Sequence, residues 1–261
     1  MLARVEYTKD PKFVERKPVC LLEKQRNSRR GKQGNVKNSD QLHMFSENQK
    51  AYFVVKRSLD IVLSFLLLAV LSPIFIICAL AIKLESSGSV IFRQERVGRG
   101  GEPFRVYKFR TMYKHTPNNV ATNQFKNPGH YITKVGKILR VTSLDELPQL
   151  LNVLKGEMSL VGPRPLILAE EKIHSQRLKR GVYSLRPGVT GYAQVNGRDL
   201  VDEESKVNLD TEYLMHISFF LDLKILLKTV AVVFSRKDYQ EGCVENADAV
   251  TANKPEDANA A

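Results

Sequence analysis

An aspartate and a glutamate stand side by side in Ser143-Leu144-Asp145-Glu146-Leu147-Pro148-Gln149-Leu150. Adjacent carboxylates can divide the labour of phosphoryl transfer: one attacks phosphorus and the other holds a divalent cation. Ser143 and Glu146 also have capping-box spacing, which would give Glu146 a purely structural duty. Pro148 is comfortable only in a first helical turn, so the helix is predicted to start nearer Asp145. On either reading both carboxylates fall in a first turn, where the helix dipole keeps them ionised.

Anion-binding side chains surround this pair in the sequence. In Val161-Gly162-Pro163-Arg164-Pro165, two prolines hold the backbone on either side of one guanidinium, the group suited to bidentate phosphate recognition. Gly162 there is expected to let a ligand approach the main chain. Arg186-Pro187-Gly188-Val189-Thr190-Gly191 and Asn196-Gly197-Arg198 are two more rigid, glycine-bearing loops with arginines. Phe104–Met112 reads as a strand, and its period-two alternation puts Lys108 and Arg110 on one face and Tyr107 and Phe109 on the other. That cationic face could clamp a diphosphate, or be an ordinary solvated edge. Each loop alone is an ordinary turn; together with the carboxylates they form an anion pocket with a metal position. No GxxxxGK[ST] phosphate loop is present, so an ATPase is disfavoured. The three cysteines and five histidines are scattered, without zinc-ligand spacing, and free thiols are expected.

The elements that must position these groups follow from patterning. Ser89–Arg93 and Phe104–Met112 flank Gly98-Arg99-Gly100-Gly101 as a hairpin. Residues 116–128 are a polar loop, and Ile132–Arg140 a helix. Ile61–Ile82 carries no charge and is long enough for a spanning helix of roughly 20 residues. Ser72-Pro73 breaks its centre, and lysines and arginines flank both ends. A spanning helix normally gathers these on the cytoplasmic side. A re-entrant helix–break–helix removes the conflict, with Ser72 satisfying the broken backbone. Ile217–Phe234 is a second apolar helix, too charged to span, that either lies in the membrane interface or packs on the core. The chain carries a net charge of +12 and a pI near 9.6, which favours anionic partners, while a mean hydropathy of −0.25 keeps membrane contact local. Residues 1–50 are polar and basic with no signal-peptide core; they and 241–261 are predicted disordered, the former with a role as a lipid-seeking arm open.

Several runs occur in a fixed order: Lys56-Arg57-Ser58-Leu59-Asp60, Ser72-Pro73, Tyr107-Lys108-Phe109-Arg110-Thr111-Met112, Ser143–Leu150, Asn152-Val153-Leu154-Lys155-Gly156, Gly162–Pro165 and Arg186–Arg198. Over about residues 52–240 this set closely resembles the bacterial sugar transferases, the monotopic phosphoglycosyl transferases acting on polyprenyl phosphate. The resemblance implies transfer of a sugar-1-phosphate from a UDP-sugar to undecaprenyl phosphate, with release of UMP. It also implies that Asp145 forms a phosphosugar-aspartyl intermediate, that Glu146 ligates Mg²⁺, and that Lys108, Arg110, Arg140 and Arg164 hold phosphate oxygens. Arg186 and Arg198 are further substrate-binding candidates.

The expected architecture is mixed α+β and mainly helical: a small membrane-associated domain over 51–240 with a re-entrant anchor at 61–82, a short hairpin and interfacial amphipathic helices. Expected partners are the UDP-sugar, undecaprenyl phosphate and lipids of the bacterial inner membrane, with the domain on the cytoplasmic face; a homodimer is compatible with this. Nucleic acid is not an expected partner, because base-stacking aromatics are not interleaved with the basic residues. A membrane-anchored binding protein would explain the charge but not the acidic pair amid arginines. An inactive structural subunit would leave that pair without a role.

Overall fold

The computed structural model describes residues 45–114, 116, 128–196 and 202–235. The expectations for residues 1–44, most of 116–128, Arg198 and the 241–261 tail lie outside the described residues. The architecture is helix-dominated with two small two-stranded sheets, as the mixed, mainly helical expectation required.

Helix α1 (Glu47–Val70) opens on a formed capping box: Ser46 Oγ accepts from Gln49 N–H, and Gln49 reaches back to the Ser46 N–H. Helix α1 thus starts before the anticipated boundary at residue 51, and Phe45 is already buried in the core. Helix α2 (Ser72–Glu85) follows at 62° to α1. The break is where the sequence put it. Pro73 has no N–H to donate to Ala69, and the Ser72 hydroxyl donates to the Ala69 carbonyl at 2.8 Å. No single described helix is long and apolar enough to cross a membrane; only the bent pair together reaches that length and composition. Large apolar side chains on both limbs are exposed, among them Phe65, Leu66, Ile76, Ile77 and Leu80.

Strands β1 (Ile91–Val97) and β2 (Pro103–Phe109) form the antiparallel hairpin, with Ile91 opposite Phe109 and Val97 opposite Pro103. Both strands are displaced from the expected bounds because the 3₁₀ turn at Arg99–Gly101 and the register set the ends. Helix α3 (Lys134–Val141) is capped by Thr133, whose Oγ1 accepts from Gly136 N–H. Helix α4 (Gln149–Lys155) lies along the free edge of β2. There the Asn152 carboxamide accepts from Tyr107 N–H and donates to the Arg105 carbonyl, taking the place of a third strand.

Strands β3 (Ser159–Val161) and β4 (Gly188–Thr190) pair in parallel, joined by a crossover carrying α5 (Glu171–Lys179). A Cβ on Gly162 would come within 2.4 Å of the Arg186 carbonyl oxygen, and one on Gly188 within 2.1 Å of Gly162 N. Gly162 therefore serves close backbone packing; the expectation that it opens the main chain to a ligand is corrected. Helices α6 (Tyr192–Asn196), α7 (Glu203–His216) and α8 (Phe219–Ser235) complete the described chain.

The main core collects Val106, Leu150, Val153, Met158, Leu160, Val161, Tyr213 and Ile225 from the hairpin, α4, β3, α7 and α8. A second cluster joins Cys78 and Ile82 of α2 to Phe109 and Leu139. Helix α1 is tied to the remainder by polar contacts. Buried Lys56 pairs with buried Asp222 of α8, which also accepts from Tyr52 and Tyr213 hydroxyls at 2.7 Å each. Arg57 donates to the Val153 and Leu154 carbonyls, and Asp60 accepts from Leu160 N–H at 3.0 Å. Helix α8 is accordingly two-sided: Asp222 and Ile225 face the protein, while Phe220, 80% exposed, and Leu227 do not. Of the two alternatives left open for this segment, packing on the core holds for the face that carries Asp222 and Ile225.

Candidate active site

The acidic pair sits on a 3₁₀ turn, Leu144–Glu146, between α3 and α4. Helix α4 begins only at Gln149, with Pro148 as its N-cap residue. Ser143 is in the left-handed region (φ 56°) and makes no side-chain cap. The capping box expected of Ser143 and Glu146 is therefore absent, because a residue with that backbone conformation cannot aim its hydroxyl along a helix start. Glu146 is released from a capping role, and its side chain turns toward β2.

Lys108 Nζ donates to Glu146 Oε1 at 2.7 Å, and Arg164 Nη1 lies 3.6 Å from the same oxygen. The Lys108 and Glu146 side chains are each 20% exposed. Burial would raise the Glu146 pKa, but Lys108, Arg164 and Arg96 outweigh it and hold the carboxyl at about 2. Asp145 beside it is buried. Arg96, Val106, Gln149, Pro165, Gly188 and Val189 complete the lining, and the free space among these residues is only about 10 Å³, about one water.

The loop carrying Arg164 is fixed from behind. Arg177 of α5 donates to the Arg164 carbonyl at 2.8 Å and pairs with Asp210 of α7 at 2.5 Å, both partners almost fully buried. Burial raises the Asp210 pKa, and Arg177 opposes that rise. Arg96 of β1 holds the far side, donating to the Pro165 carbonyl at 3.2 Å.

Three of the anticipated phosphate ligands therefore do not share this cluster. The second strand ends at Phe109, so alternation no longer governs Arg110; its guanidinium turns to the Ser86 and Ser87 carbonyls after α2. Arg140 donates from Nε to Thr111 Oγ1 at 2.8 Å, and its Nη1 is buried with no partner among the described residues. Arg186 donates to the Gly156 carbonyl, and its pKa is lowered by burial and by neighbouring Arg99 and Arg57. Arg198 lies outside the described residues. Conversely, Arg96, Gln149 and Arg177 were not picked out from the sequence. Gln149 lies three residues beyond Glu146, at the start of α4, while Arg96 and Arg177 come from a strand and a distant helix that no local spacing links to residue 146.

A divalent cation has a partial fit here. Among the described residues no three acidic, histidine or cysteine side chains cluster as a self-sufficient metal site. Mg²⁺ commonly uses one or two carboxylates plus substrate phosphate oxygens and water. Glu146 is ionised, with Lys108 and Arg164 at its Oε1. Its carboxylate is the group that would hold the ion.

Residues 51–236 match the family described as bacterial sugar transferase. The chain is 44% identical over 191 residues to the UDP-glucose:undecaprenyl-phosphate glucose-1-phosphate transferase of Escherichia coli (strain K12), covering 70% of this chain and 41% of that protein. It is 46% identical over 183 residues to the protein of the same name from Caulobacter vibrioides, covering 67% of this chain and 68% of that one. An uncharacterised sugar transferase of Bacillus subtilis, EpsL, is 40% identical over 190 residues, covering 72% and 91%. The residues that surround Glu146 all lie inside the matched span, and the chain belongs to the bacterial sugar transferase family.

Proposed function

We propose that the protein transfers a sugar-1-phosphate from a UDP-sugar to undecaprenyl phosphate at the cytoplasmic face of a bacterial inner membrane. The observation that carries this reading is a strongly ionised Glu146, beside Asp145, in a small cluster with Lys108, Arg164 and Arg96. A binding protein has no need of a buried aspartate next to that carboxylate.

The chemistry balances in two displacements. The Asp145 carboxylate attacks the sugar-linked phosphorus of the donor. A P–O bond forms to Asp145 as the P–O bond to UMP breaks, and UMP leaves with the bonding electrons. The phosphate oxygen of the prenyl acceptor then attacks the same phosphorus and releases Asp145, giving prenyl diphosphosugar. Lys108 and Arg164, which now share Glu146, neutralise donor phosphate oxygens; with so little free space around them, binding must rearrange these ion pairs. A Mg²⁺ bound through Glu146 would neutralise the diphosphate and favour departure of UMP.

The bent pair α1–α2 is the re-entrant anchor in this scheme. It carries exposed apolar side chains on both limbs, while each limb packs one face on the soluble part. A site held near the headgroups meets the acceptor phosphate where that phosphate lies. Two relatives are named for glucose-1-phosphate transfer, so UDP-glucose is the first donor to try.

The test is UMP release by detergent-solubilised protein with undecaprenyl phosphate, Mg²⁺ and a panel of UDP-sugars. We expect one donor to be preferred, and Asp145→Ala to abolish UMP release while the protein stays folded. Folded wild-type protein that releases no UMP from any donor would overturn the proposal.

A further inference from the structure

The hairpin has two faces, and the active-site cluster uses one of them. Val106 and Lys108 point to Glu146. Tyr107, between them in sequence, points the opposite way into a second cleft of about 470 Å³ lined by Ile91, Arg93, Tyr107, Leu151, Leu154 and Lys155. Helix α4, seated on the β2 edge, separates the two, with Gln149 on one side and Leu151, Leu154 and Lys155 on the other.

The chemistry of this cleft is amphipathic. Its wall is aliphatic, and Leu151 is 41% exposed. Its polar side holds two cations gathered on one ring: Arg93 lies 5.6 Å and Lys155 4.5 Å from the Tyr107 ring centre. Lys155 also donates to the Tyr107 hydroxyl at 2.6 Å. Among the described residues no carboxylate pairs with Arg93 or Lys155. Each limb of the bent pair is joined to a residue of the lining. Arg57 of α1 donates to the Leu154 carbonyl, and Ile91 belongs to the apolar cluster that includes Ile74 and Phe75 of α2.

We propose that this cleft binds one anionic phospholipid of the host bilayer, its phosphate between Arg93 and Lys155 and its first methylenes against Leu151, Leu154 and Ile91. Charge complementarity selects an anionic headgroup, and the aliphatic wall of Ile91, Leu151 and Leu154 selects a lipid over a soluble phosphate. The occupant is not the reacting acceptor, because the hairpin stands between the cleft and Asp145–Glu146. The proposal rests on the membrane placement of the bent pair given under the function above.

The test titrates the full chain in neutral detergent with phosphatidylglycerol or phosphatidylcholine, read by native mass spectrometry. Expected is one saturable phosphatidylglycerol per chain with no equivalent for phosphatidylcholine. Arg93→Gln/Lys155→Gln weakens it roughly 30-fold, the scale of two surface cations. Leu151→Glu, at an exposed position, weakens it independently. Lys172→Gln/Lys179→Gln on α5 removes the same charge elsewhere and leaves binding as it was. Equal binding of both lipids, unchanged binding in the cleft variants, equal loss in the α5 control, or displacement of phosphatidylglycerol by undecaprenyl phosphate each overturns the proposal. Flotation with vesicles separates the two failures: a wild-type chain that does not float overturns the anchor itself, whereas one that floats without lipid preference overturns only the cleft.

Discussion

At the scale of single residues, Glu146 is held ionised by what stands around it. Its folded pKa, about 2, lies below its ordinary 4.5. A depressed carboxylate contributes stability that is present above the ordinary value and lost as pH falls through the folded value. Acid destabilisation from this group therefore falls between about pH 4.5 and 2, and an acid limb of activity nearer pH 6 must come from another group. Lys108→Met should move the loss to higher pH, measured as the acid-unfolding midpoint; an unmoved midpoint would mean that Lys108 does not hold the carboxylate. The acidic pair was legible in the sequence because adjacency is local. Lys108 and Arg164 were legible as well, through the ordered runs that carry the resemblance, and both meet Glu146; Arg96 on β1 was not, because no local pattern ties it to the pair. Arg110 was misplaced for a definite reason, since alternation holds only while a strand lasts, and β2 ends one residue earlier.

At the scale of elements, polar contacts decide how the anchor meets the catalytic part. Removing Lys56 alone leaves Asp222 buried without its cation, a change that typically costs about 3–5 kcal/mol. Lys56→Met should lower thermal stability sharply, and Lys56→Met/Asp222→Leu should recover much of the loss; no recovery would locate the damage in packing. Asp60→Ala orphans the Leu160 N–H at the start of the β3–Arg164 segment, at about 1–3 kcal/mol. The crossover helix α5 carries a buried titratable group. Burial lowers the pKa of His174, which contacts the Tyr183 hydroxyl through Nδ1 and the Ile167 carbonyl through Nε2. A lowered histidine stabilises above its ordinary 6.5 and loses that contribution as pH falls. Thermal unfolding followed from pH 7.5 to 5 should show the loss in wild type and less of it in His174→Gln. Apolar periodicity and Pro73 located α3, α8 and the α1–α2 break, whereas α5 and α7 were not named and α1 begins well before Ile61. The edge plug at Asn152 and the Arg177–Asp210 brace were not, because each joins residues that no local pattern connects.

At the scale of the molecule, the re-entrant placement proposed for the bent pair requires one topology. Cysteines introduced at Ser46 and Ser87, at the two ends of α1–α2, should label from the same side of the membrane in intact cells; labelling from opposite sides would convert the anchor into a span. The sequence suggested this through basic flanks on both sides of Ser72-Pro73, while the 62° bend came only with the structure.

The Lys56–Asp60 turn has a consequence for the order in which the protein is made. Its three side chains reach partners 166, 96 and 100 positions later: Asp222, Val153 and Leu160. The anchor leaves the ribosome long before any of them exists. Lys56 must wait in water or among headgroups until α8 is synthesised, because burying an unpaired ammonium is prohibitive. Seating α1 is thus a late event gated by the last described helix. A nascent chain halted before residue 219 would hold every residue of the Glu146 cluster without the ion pair that fixes α1 to α8. Long-range closure of this kind slows folding, so the maturation rate should respond to substitutions at Asp222 more than to any in the acidic pair.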